Sequence, residues 1–278
     1  MSIDFLGLDE FLLSALREDI GIGDVTTLSC VPESAVSTGR FIAKEPGVIC
    51  GLDVAKRLFA LLDERIEMTT FVRDGDFVES GSCFAKVIGS SRSILTGERT
   101  VLNLLQHLSA ISTKTAHMVK SVEGTKTKVV DTRKTMPGLR VLAKYAVKCG
   151  GGHNHRMNLS DGVLIKDNHI IAAGGIKQAV AAAKNNCPIT LKIEVETENL
   201  GQVEEALAAG ADIVMLDNMT LETMAEAVKL VAGKALTEAS GNMDRQNLRK
   251  VAETGVDFIS IGALTHSVKA LDISLKFV

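Results

Sequence analysis

The sequence of 278 residues contains no tryptophan and a single tyrosine, Tyr145. Aromatic rings are the platforms on which proteins stack single-stranded nucleic acid, so a nucleic-acid partner is not expected. No apolar run reaches the ~20 residues that a membrane-spanning helix needs. The first residues also lack the basic and apolar regions of a signal peptide. We therefore expect a cytoplasmic protein with neither a nucleic-acid partner nor a membrane partner.

The cysteines also lack a pattern. There are five of them, an odd number, they are scattered, and no two have the Cys-x-x-Cys spacing of a metal or redox motif. Reduced thiols are the plain interpretation, and a zinc site built from these cysteines is not expected.

The first 120 residues predict a small α+β domain. An amphipathic helix is predicted at 8–18, and the glycine-rich stretch 19–27 is interpreted as a turn rather than a dinucleotide fingerprint. Residues 38–90 contain short alternating runs separated by turn sequences, which is typical of antiparallel pairing. A long helical pattern at 94–119 then leads to a domain boundary near residue 120.

From residue 121 to 278 the predicted secondary structure has a different pattern, in which short β-branched runs alternate with helical stretches. This alternation predicts a parallel sheet with right-handed crossovers, and six strands favour an open or incomplete (β/α) barrel over a doubly wound sheet. The strands are predicted at 127–131, 162–166, 189–196, 212–217, 234–239 and 257–262, and the helices near 138–149, 174–186, 198–209, 220–231 and 244–254. A further strand at 271–278 has no partner that the sequence identifies.

The predicted barrel strands end in polar residues or glycines. Barrel enzymes build their sites at this carboxyl edge, and six such positions in register are hard to attribute to chance. They are Asp131, Lys166, Glu196, Asp217, Ser240-Gly241 and Gly262.

Positive charge is concentrated in residues 131–169, which hold seven lysines and arginines against three aspartates, although the whole chain carries −3. Such an island in an acidic chain indicates a small anionic ligand. Arg133 and Arg156 suit carboxylates or phosphates, while Lys134 and Lys166 supply point charges. The remaining cations, Arg140, Lys144 and Lys148, have helical spacing and are interpreted as a solvated helix face or as distant contributors to the electrostatic field.

The other strand ends suit different ligands. Glu196 and Asp217 can hold Mg²⁺ or accept ribose hydroxyls. Ser240-Gly241 and Gly262 follow the last two barrel strands, where loops often bind phosphate through backbone N–H groups.

His153 and His155 form a His-x-His pair that has two interpretations. Such a pair can bind zinc, which would suit a metal-dependent barrel hydrolase. Arg156 follows directly and would repel a metal ion, so contact of His155 with an anion is favoured, and the role of His153 stays open.

Three runs in this order are highly specific: Asp131-Thr132-Arg133-Lys134-Thr135, Gly150-Gly151-Gly152-His153-Asn154-His155-Arg156, and Ile165-Lys166-Asp167-Asn168-His169. With these runs and weaker motifs over nearly its whole length, the chain resembles the quinolinate phosphoribosyltransferase family. The resemblance implies an N-terminal α/β sandwich domain (1–120) followed by an open (β/α) barrel domain (121–278). It also implies transfer of a phosphoribosyl group from phosphoribosyl pyrophosphate to quinolinate, with Mg²⁺. The products are nicotinate mononucleotide, pyrophosphate and CO₂, a step in NAD biosynthesis.

The resemblance also assigns roles to residues. It implies that Lys134, Lys166, Glu196 and Asp217 are catalytic and that a homodimer is the working unit, because Arg99 would reach the neighbouring subunit's site. Quinolinate would be held by Thr132, Arg133, His155, Arg156 and Lys166, with Lys134 between the two substrates. Glu196 and Asp217 would meet the ribose and metal, and Ser240, Gly241 and Gly262 the 5′-phosphate.

Other functions stay open at this point. They are a related phosphoribosyltransferase-like protein associated with molybdate transport, the barrel hydrolase, and a binding module without turnover.

Overall fold

The computed structural model describes residues 7–241 and 247–278. Contacts divide the chain into two compact units that do not follow a single cut in the sequence. One unit contains residues up to Lys114, together with Met136–Gly151 and Ser267–Val278. The other contains Thr115–Thr135 and Gly152–His266. The boundary near residue 120 stays a prediction.

The first unit is built on a four-stranded antiparallel sheet in the order β12-β1-β5-β3. Its strands are β1 (Val36–Ala43), β3 (Glu67–Thr70), β5 (Cys83–Ser90) and β12 (Ile273–Phe277), and a separate pair joins β2 (Gly47–Val48) to β4 (Phe77–Val78). The C-terminal strand that the sequence left without a partner thus pairs with β1, with Gly39 opposite Phe277.

Among the described residues, five helices lie wholly or partly in this unit, and its core contains three phenylalanines. The helices are α1 (Leu8–Ile20), α2 (Val25–Cys30), α3 (Leu52–Leu62), α4 (Ser91–Ser121) and α5 (Arg140–Cys149). Phe41 packs against Phe59 and Phe84 with ring centroids 6.4 and 6.0 Å apart. Burying such rings is favourable because it removes large apolar areas from water.

One prediction in this unit was incomplete and another was wrong. The stretch 19–27 contains the predicted helix end, at Ile20, and the predicted turn, but α2 then begins at Val25, and Asp24 caps it by accepting the N–H of Thr27 at 2.9 Å. Lys144 does not lie on a solvated helix face, since it is fully buried.

The second unit contains six parallel strands in the order β6-β11-β10-β9-β8-β7. They are β6 (Lys128–Val130), β7 (Val163–Ile165), β8 (Ile193–Thr197), β9 (Ile213–Asp217), β10 (Leu236–Ser240) and β11 (Phe258–Ser260). The strands β6 and β7 are the two edge strands of this sheet and are not paired with each other. The barrel is therefore open between them. The predicted fold class, an α/β protein with an open barrel, is confirmed.

Helices follow the strands, as predicted, but the first and the last helix of this unit were not predicted from the sequence. They are α6 (Asp167–Ala173), α7 (Ile176–Asn186), α8 (Leu200–Ala209), α9 (Leu221–Val231), α10 (Leu248–Glu253) and α11 (Ala263–His266). α6 was missed because it buries none of its side chains, so its sequence has no apolar period. The start of the helix predicted at 244–254 falls partly outside the described residues. Within the described ranges, no helix is long and apolar enough to cross a membrane.

Candidate active site

The register of the parallel strands decides which side chains face the interior of the open barrel. Glu196 of β8 is paired with Met215 of β9, which in turn is paired with Glu238 of β10. Because side chains alternate along a strand, residues two positions away share the same face. Glu194 therefore lies below Glu196, and Ser240 lies above Glu238, where the strands end.

A cavity of about 290 Å³ lies at this carboxyl end. Its volume suits a small ligand, and its lining is rich in cations, as the sequence predicted for an anion site. The predicted site residues in its wall are Thr132, Arg133, Lys134, His155, Arg156, Lys166 and Ser240. The wall also includes Glu238, Leu164 and Met215.

Two guanidinium groups in this wall influence each other. The pKa of Arg156 is lowered, first because the side chain is partly buried and second because the charge of Arg133 is nearby. Arg156 is held in place by donating from Nη1 to the carbonyl of Gly162 at 2.9 Å. Two like charges brought together in a cavity favour a ligand with more than one negative charge.

Lys166 and Glu196 form an ion pair where β7 and β8 end. Lys166 Nζ lies 2.7 Å from Glu196 Oε2, and the Lys166 side chain is 46% exposed. Because the lysine end of this pair is open to water, a charged ligand can replace Glu196 as the partner of Lys166.

Glu196 and Asp217 face the same side at neighbouring strand ends, and their carboxylates are the donor type that Mg²⁺ prefers. Asp217 Oδ2 accepts a hydrogen bond from the Asn218 amide at 2.8 Å, while Glu196 Oε2 accepts from Lys166. Each carboxylate thus has a second oxygen that can face a cation. The pair fits an ion that takes its other ligands from water and phosphate.

Glycines lie at two of the strand ends, and at Gly241 the backbone conformation itself favours glycine. Gly241 has a φ of +91°, and a Cβ there would collide with the Asn218 side chain. At Gly262 a Cβ would come within 2.9 Å of Lys134 Cδ. Both positions therefore leave backbone accessible beside polar groups, as a phosphate-binding loop needs.

The segment that carries His155 and Arg156 runs beside the open edge of β6. His153 donates its N–H to Val129 at 2.9 Å and accepts the N–H of Asp131 at 3.1 Å. The buried Asp131 then accepts the backbone N–H of His155 through Oδ1 at 2.9 Å. This is why the segment reaches the cavity although it precedes β7 in the chain.

Below the cavity lies a buried cluster of His155, Glu194 and Glu238, of which the two glutamates were missed by the sequence interpretation. His155 Nε2 is 2.9 Å from Glu194 Oε2 and 3.5 Å from Glu238 Oε2. Glu194 and Glu238 are 3% and 2% exposed. Each glutamate lies two residues before a predicted site residue, Glu196 or Ser240, and this period of two is the signal that could have identified them.

This cluster retains a proton at neutral pH. Burial lowers the pKa of His155, but hydrogen bonds to Glu194 and Glu238 outweigh it and raise the pKa to about 10. The pKa of Glu194 is raised too, mainly by burial. In the neutral ring His155 Nδ1 accepts the N–H of Arg156 at 2.8 Å, while Nε2 faces the carboxylates. Both shifts describe one proton shared by the group.

Not every predicted residue lines the cavity. Glu196, Asp217, Gly241 and Gly262 lie at neighbouring strand ends rather than in its wall. Arg99 lies on the exposed face of α4.

The His153-x-His155 pair is not completed as a metal site. In the described part of the chain, the group of potential ligands that includes His155 contains Glu194 and Glu238 but not His153.

Comparison with known proteins agrees with this geometry. Residues 24–109 match the model of the quinolinate phosphoribosyl transferase N-terminal domain, and residues 111–276 match that of the C-terminal domain. The chain is 44% identical over 273 residues to a probable nicotinate-nucleotide pyrophosphorylase [carboxylating] of Bacillus subtilis, covering 98% of this chain and 94% of that protein. The corresponding protein of Synechocystis is 47% identical over 274 residues, with 98% and 92% covered.

A solved structure has the same fold. NadC from Streptococcus pyogenes superposes with a TM-score of 0.96 at 43% identity, covering 100% of this chain and 99% of that one. A nicotinate-nucleotide pyrophosphorylase from Pyrococcus furiosus, at 14% identity and a TM-score of 0.72, shares the fold alone. The two family models together span most of the chain, and the chain belongs to the quinolinate phosphoribosyl transferase family.

Proposed function

We propose that this chain transfers the phosphoribosyl group of phosphoribosyl pyrophosphate to quinolinate, with loss of CO₂, to give nicotinate mononucleotide and pyrophosphate. The observation that carries the proposal is the cavity whose wall contains Arg133, Lys134, Arg156 and Lys166. Quinolinate has two adjacent carboxylates, and paired guanidiniums bind such a dianion well. Names of the family and of the relatives support the same reaction.

Arg133 and Arg156 would hold the two carboxylates of quinolinate, and Lys166 would contribute a third cation by exchanging its contact with Glu196 for one with the substrate. His155 would form the floor of the site, fixed from below by Glu194 and Glu238. Thr132 lines the same wall. Held in this way, the pyridine nitrogen can be aimed at C1 of the ribose, which converts a bimolecular encounter into a positioned reaction.

Phosphoribosyl pyrophosphate would lie across the ends of β8 to β11. Glu196 and Asp217 would accept its ribose hydroxyls, and Ser240, Gly241 and Gly262 would surround the 5′-phosphate with accessible backbone. Lys134 approaches Gly262 and would neutralise charge on the departing pyrophosphate. Mg²⁺, when bound near Glu196 and Asp217, would supply further stabilisation of that leaving charge.

The proposed reaction depends on stabilising charges that develop on the substrates more than on proton transfer by side chains. As the bond to pyrophosphate breaks, positive charge develops at C1, and Glu196 and Asp217 favour it. After the nitrogen attacks, the ring is cationic, so loss of the carboxylate next to the nitrogen leaves a carbanion that the adjacent N⁺ stabilises. A partly buried pocket aids this step because the carboxylate has lost hydration.

The experiment is to supply quinolinate, phosphoribosyl pyrophosphate and Mg²⁺ and to measure nicotinate mononucleotide and pyrophosphate together. We expect equal amounts of both, and no product when nicotinate replaces quinolinate. Binding of quinolinate without any pyrophosphate release would contradict the proposal and would favour a binding module or the molybdate-associated relative. The zinc hydrolase is not favoured, because the family models and the relatives carry phosphoribosyl transferase and pyrophosphorylase names.

We also propose that the working unit is a homodimer in which Arg99 completes the partner's site. Support comes from the exposure of Arg99 on α4 and from the resemblance to the family. Mixing the variants Arg99→Ala and Arg133→Ala under exchange conditions tests this, because a mixed dimer contains one site with both arginines. We expect partial activity from the mixture and little from either variant alone; no gain on mixing would contradict a shared site. The cytoplasmic location stays a prediction, which fractionation would test.

A further inference from the structure

A cluster of polar side chains in the first unit has no part in the proposed reaction. It contains Cys50, which follows β2, Cys149, the last residue of α5, and Asp74 from the turn before β4. The Sγ atoms of both cysteines and a carboxylate oxygen of Asp74 all lie within 4.8 Å of one another. Cys50 is buried and Cys149 is partly accessible. This pair could not be predicted from the sequence, because the two cysteines are far apart in the chain.

Hydrogen bonds hold the backbone on both sides of the two sulfurs. Cys50 donates its N–H to Ser109 Oγ of α4 at 3.0 Å. Asp74 accepts the N–H of Leu52 through Oδ1 at 3.0 Å and the hydroxyl of Tyr145 through Oδ2 at 2.8 Å. Since Tyr145 is one helical turn before Cys149, these bonds anchor α5 to the loops beside Cys50.

The two thiols are chemically unequal. Burial raises the pKa of Cys50 well above its ordinary value, so Cys50 keeps its proton. A hydrogen bond from Cys50 lowers the pKa of Cys149, although burial opposes this effect. The more accessible sulfur is thus the better nucleophile, and the buried thiol lies next to it, which is the arrangement of an attacking and a resolving cysteine.

We propose that Cys50 and Cys149 are an oxidation site, at which a hydroperoxide converts the two thiols to a disulfide and thereby weakens quinolinate binding. The Cys149 thiolate attacks the peroxide, so that an S–O bond forms, the O–O bond breaks, and the released alkoxide or hydroxide takes a proton. Cys50 sulfur then attacks Cys149 sulfur; the S–S bond forms, the S–O bond breaks, and hydroxide leaves as water with the Cys50 proton. Two thiols are oxidised, and one hydroperoxide is reduced to an alcohol (or water) and water.

The link to substrate binding follows from chain connectivity. Cys149 is followed by Gly150–Gly152 and then by the segment with His155 and Arg156. A disulfide holds its sulfurs about 2.05 Å apart with a fixed dihedral angle, so the end of α5 must adjust when the bond forms. This consequence rests on the proposed function, whereas formation of the disulfide does not.

The first test is chemical and needs no activity. The reduced full chain is treated with hydrogen peroxide, alkylated and digested with trypsin, which leaves Cys50 in peptide 45–56 and Cys149 in peptide 149–156. We expect these two peptides to be joined, and to be joined faster than the exposed Cys30 and Cys83 are oxidised. In Cys50→Ser, a dimedone adduct on Cys149 should replace the joined peptides, and Cys83→Ser is the matched control that should keep them.

Oxidation of Cys30 and Cys83 while Cys50 and Cys149 stay reduced would overturn the site. About one zinc per purified chain, lost in Cys149→Ser, would also overturn it, because the cluster would then be a metal site. Failure of Cys50→Ser to fold would leave the peptides of the unaltered chain as the deciding measurement.

The second test concerns quinolinate binding. We expect peroxide to raise KM for quinolinate several-fold in the unaltered chain and in Cys83→Ser, but not in Cys50→Ser, and dithiothreitol to reverse the change. A disulfide that forms without altering KM in an active enzyme would overturn the link to binding. An enzyme inactive before oxidation would instead contradict the proposed function.

Discussion

The interior of the open barrel has two layers of charged side chains that differ in how far water reaches them. In the upper layer, at the carboxyl ends of the strands, Lys166 pairs with Glu196 and is 46% exposed. In the lower layer His155 lies between Glu194 and Glu238, whose side chains are 4% and 2% exposed. A pair whose lysine is half exposed can exchange that lysine to a ligand, whereas a group buried on all sides is costly to disturb. We therefore expect the upper layer, whose ion pair can rearrange, to contact the substrates. We expect the buried lower layer to hold His155 in position.

The largest expected effect is on stability and comes from the lower layer. His155→Ala leaves Glu194 and Glu238 buried beside each other without their shared partner, so we expect the free energy of unfolding to fall by about 3 kcal/mol. Uptake of a proton by Glu194, whose pKa is already raised, limits the loss. Urea denaturation measures it. A change below about 1 kcal/mol would mean that the cluster behaves like a surface pair.

The next largest effect is expected from a cation of the cavity wall, and it concerns catalysis rather than unfolding. Arg133→Ala removes one of two adjacent guanidiniums, and we expect kcat/KM for quinolinate to fall about 100-fold, since a charge-assisted contact to a carboxylate is lost. KM for phosphoribosyl pyrophosphate should change much less. Steady-state kinetics measure both, and Arg65→Ala, at a side chain that is 87% exposed, is the control. Equal effects on both substrates would contradict the assignment.

The next prediction concerns pH and belongs to the lower layer. The pKa of His155 is raised from 6.5 to about 10 by hydrogen bonds that outweigh burial. A raised pKa adds stability that is fully present below pH 6.5 and is lost as the pH rises towards 10. The stability difference between the unaltered chain and His155→Asn should therefore shrink over this window. His117→Asn makes the same substitution at an exposed position of α4 and is the matched control for loss of an imidazole.

The features that could be predicted from the sequence are those that depend on residues close together in the chain. Strand ends such as Lys166, Glu196 and Asp217 could be found because alternation and helix spacing are local patterns, and the open barrel followed from them. The pairing of β12 with β1 and the approach of Cys50 to Cys149 could not, because both join distant parts of the chain.

The lower layer was missed for a different reason. Glu194 and Glu238 stand in apolar strands where a charged residue is unexpected, and only the strand register brings both to His155. Burial of a carboxylate depends on its partner, and the sequence shows the carboxylate without showing the partner.

The smallest expected change in stability comes from Lys166, a residue at which stability and activity can be separated. Lys166→Ala breaks the 2.7 Å contact with Glu196, yet Lys166 is half exposed and water can replace it. We expect the free energy of unfolding to change by less than about 1 kcal/mol. Activity on quinolinate should nevertheless be largely lost, since the cavity wall loses a cation. Denaturation and kinetics on the same preparation test this, with Lys177→Ala on the exposed surface of α7 as control. If Lys166→Ala unfolded as readily as His155→Ala, the two layers would be one cooperative network, and the division of labour between them would be wrong.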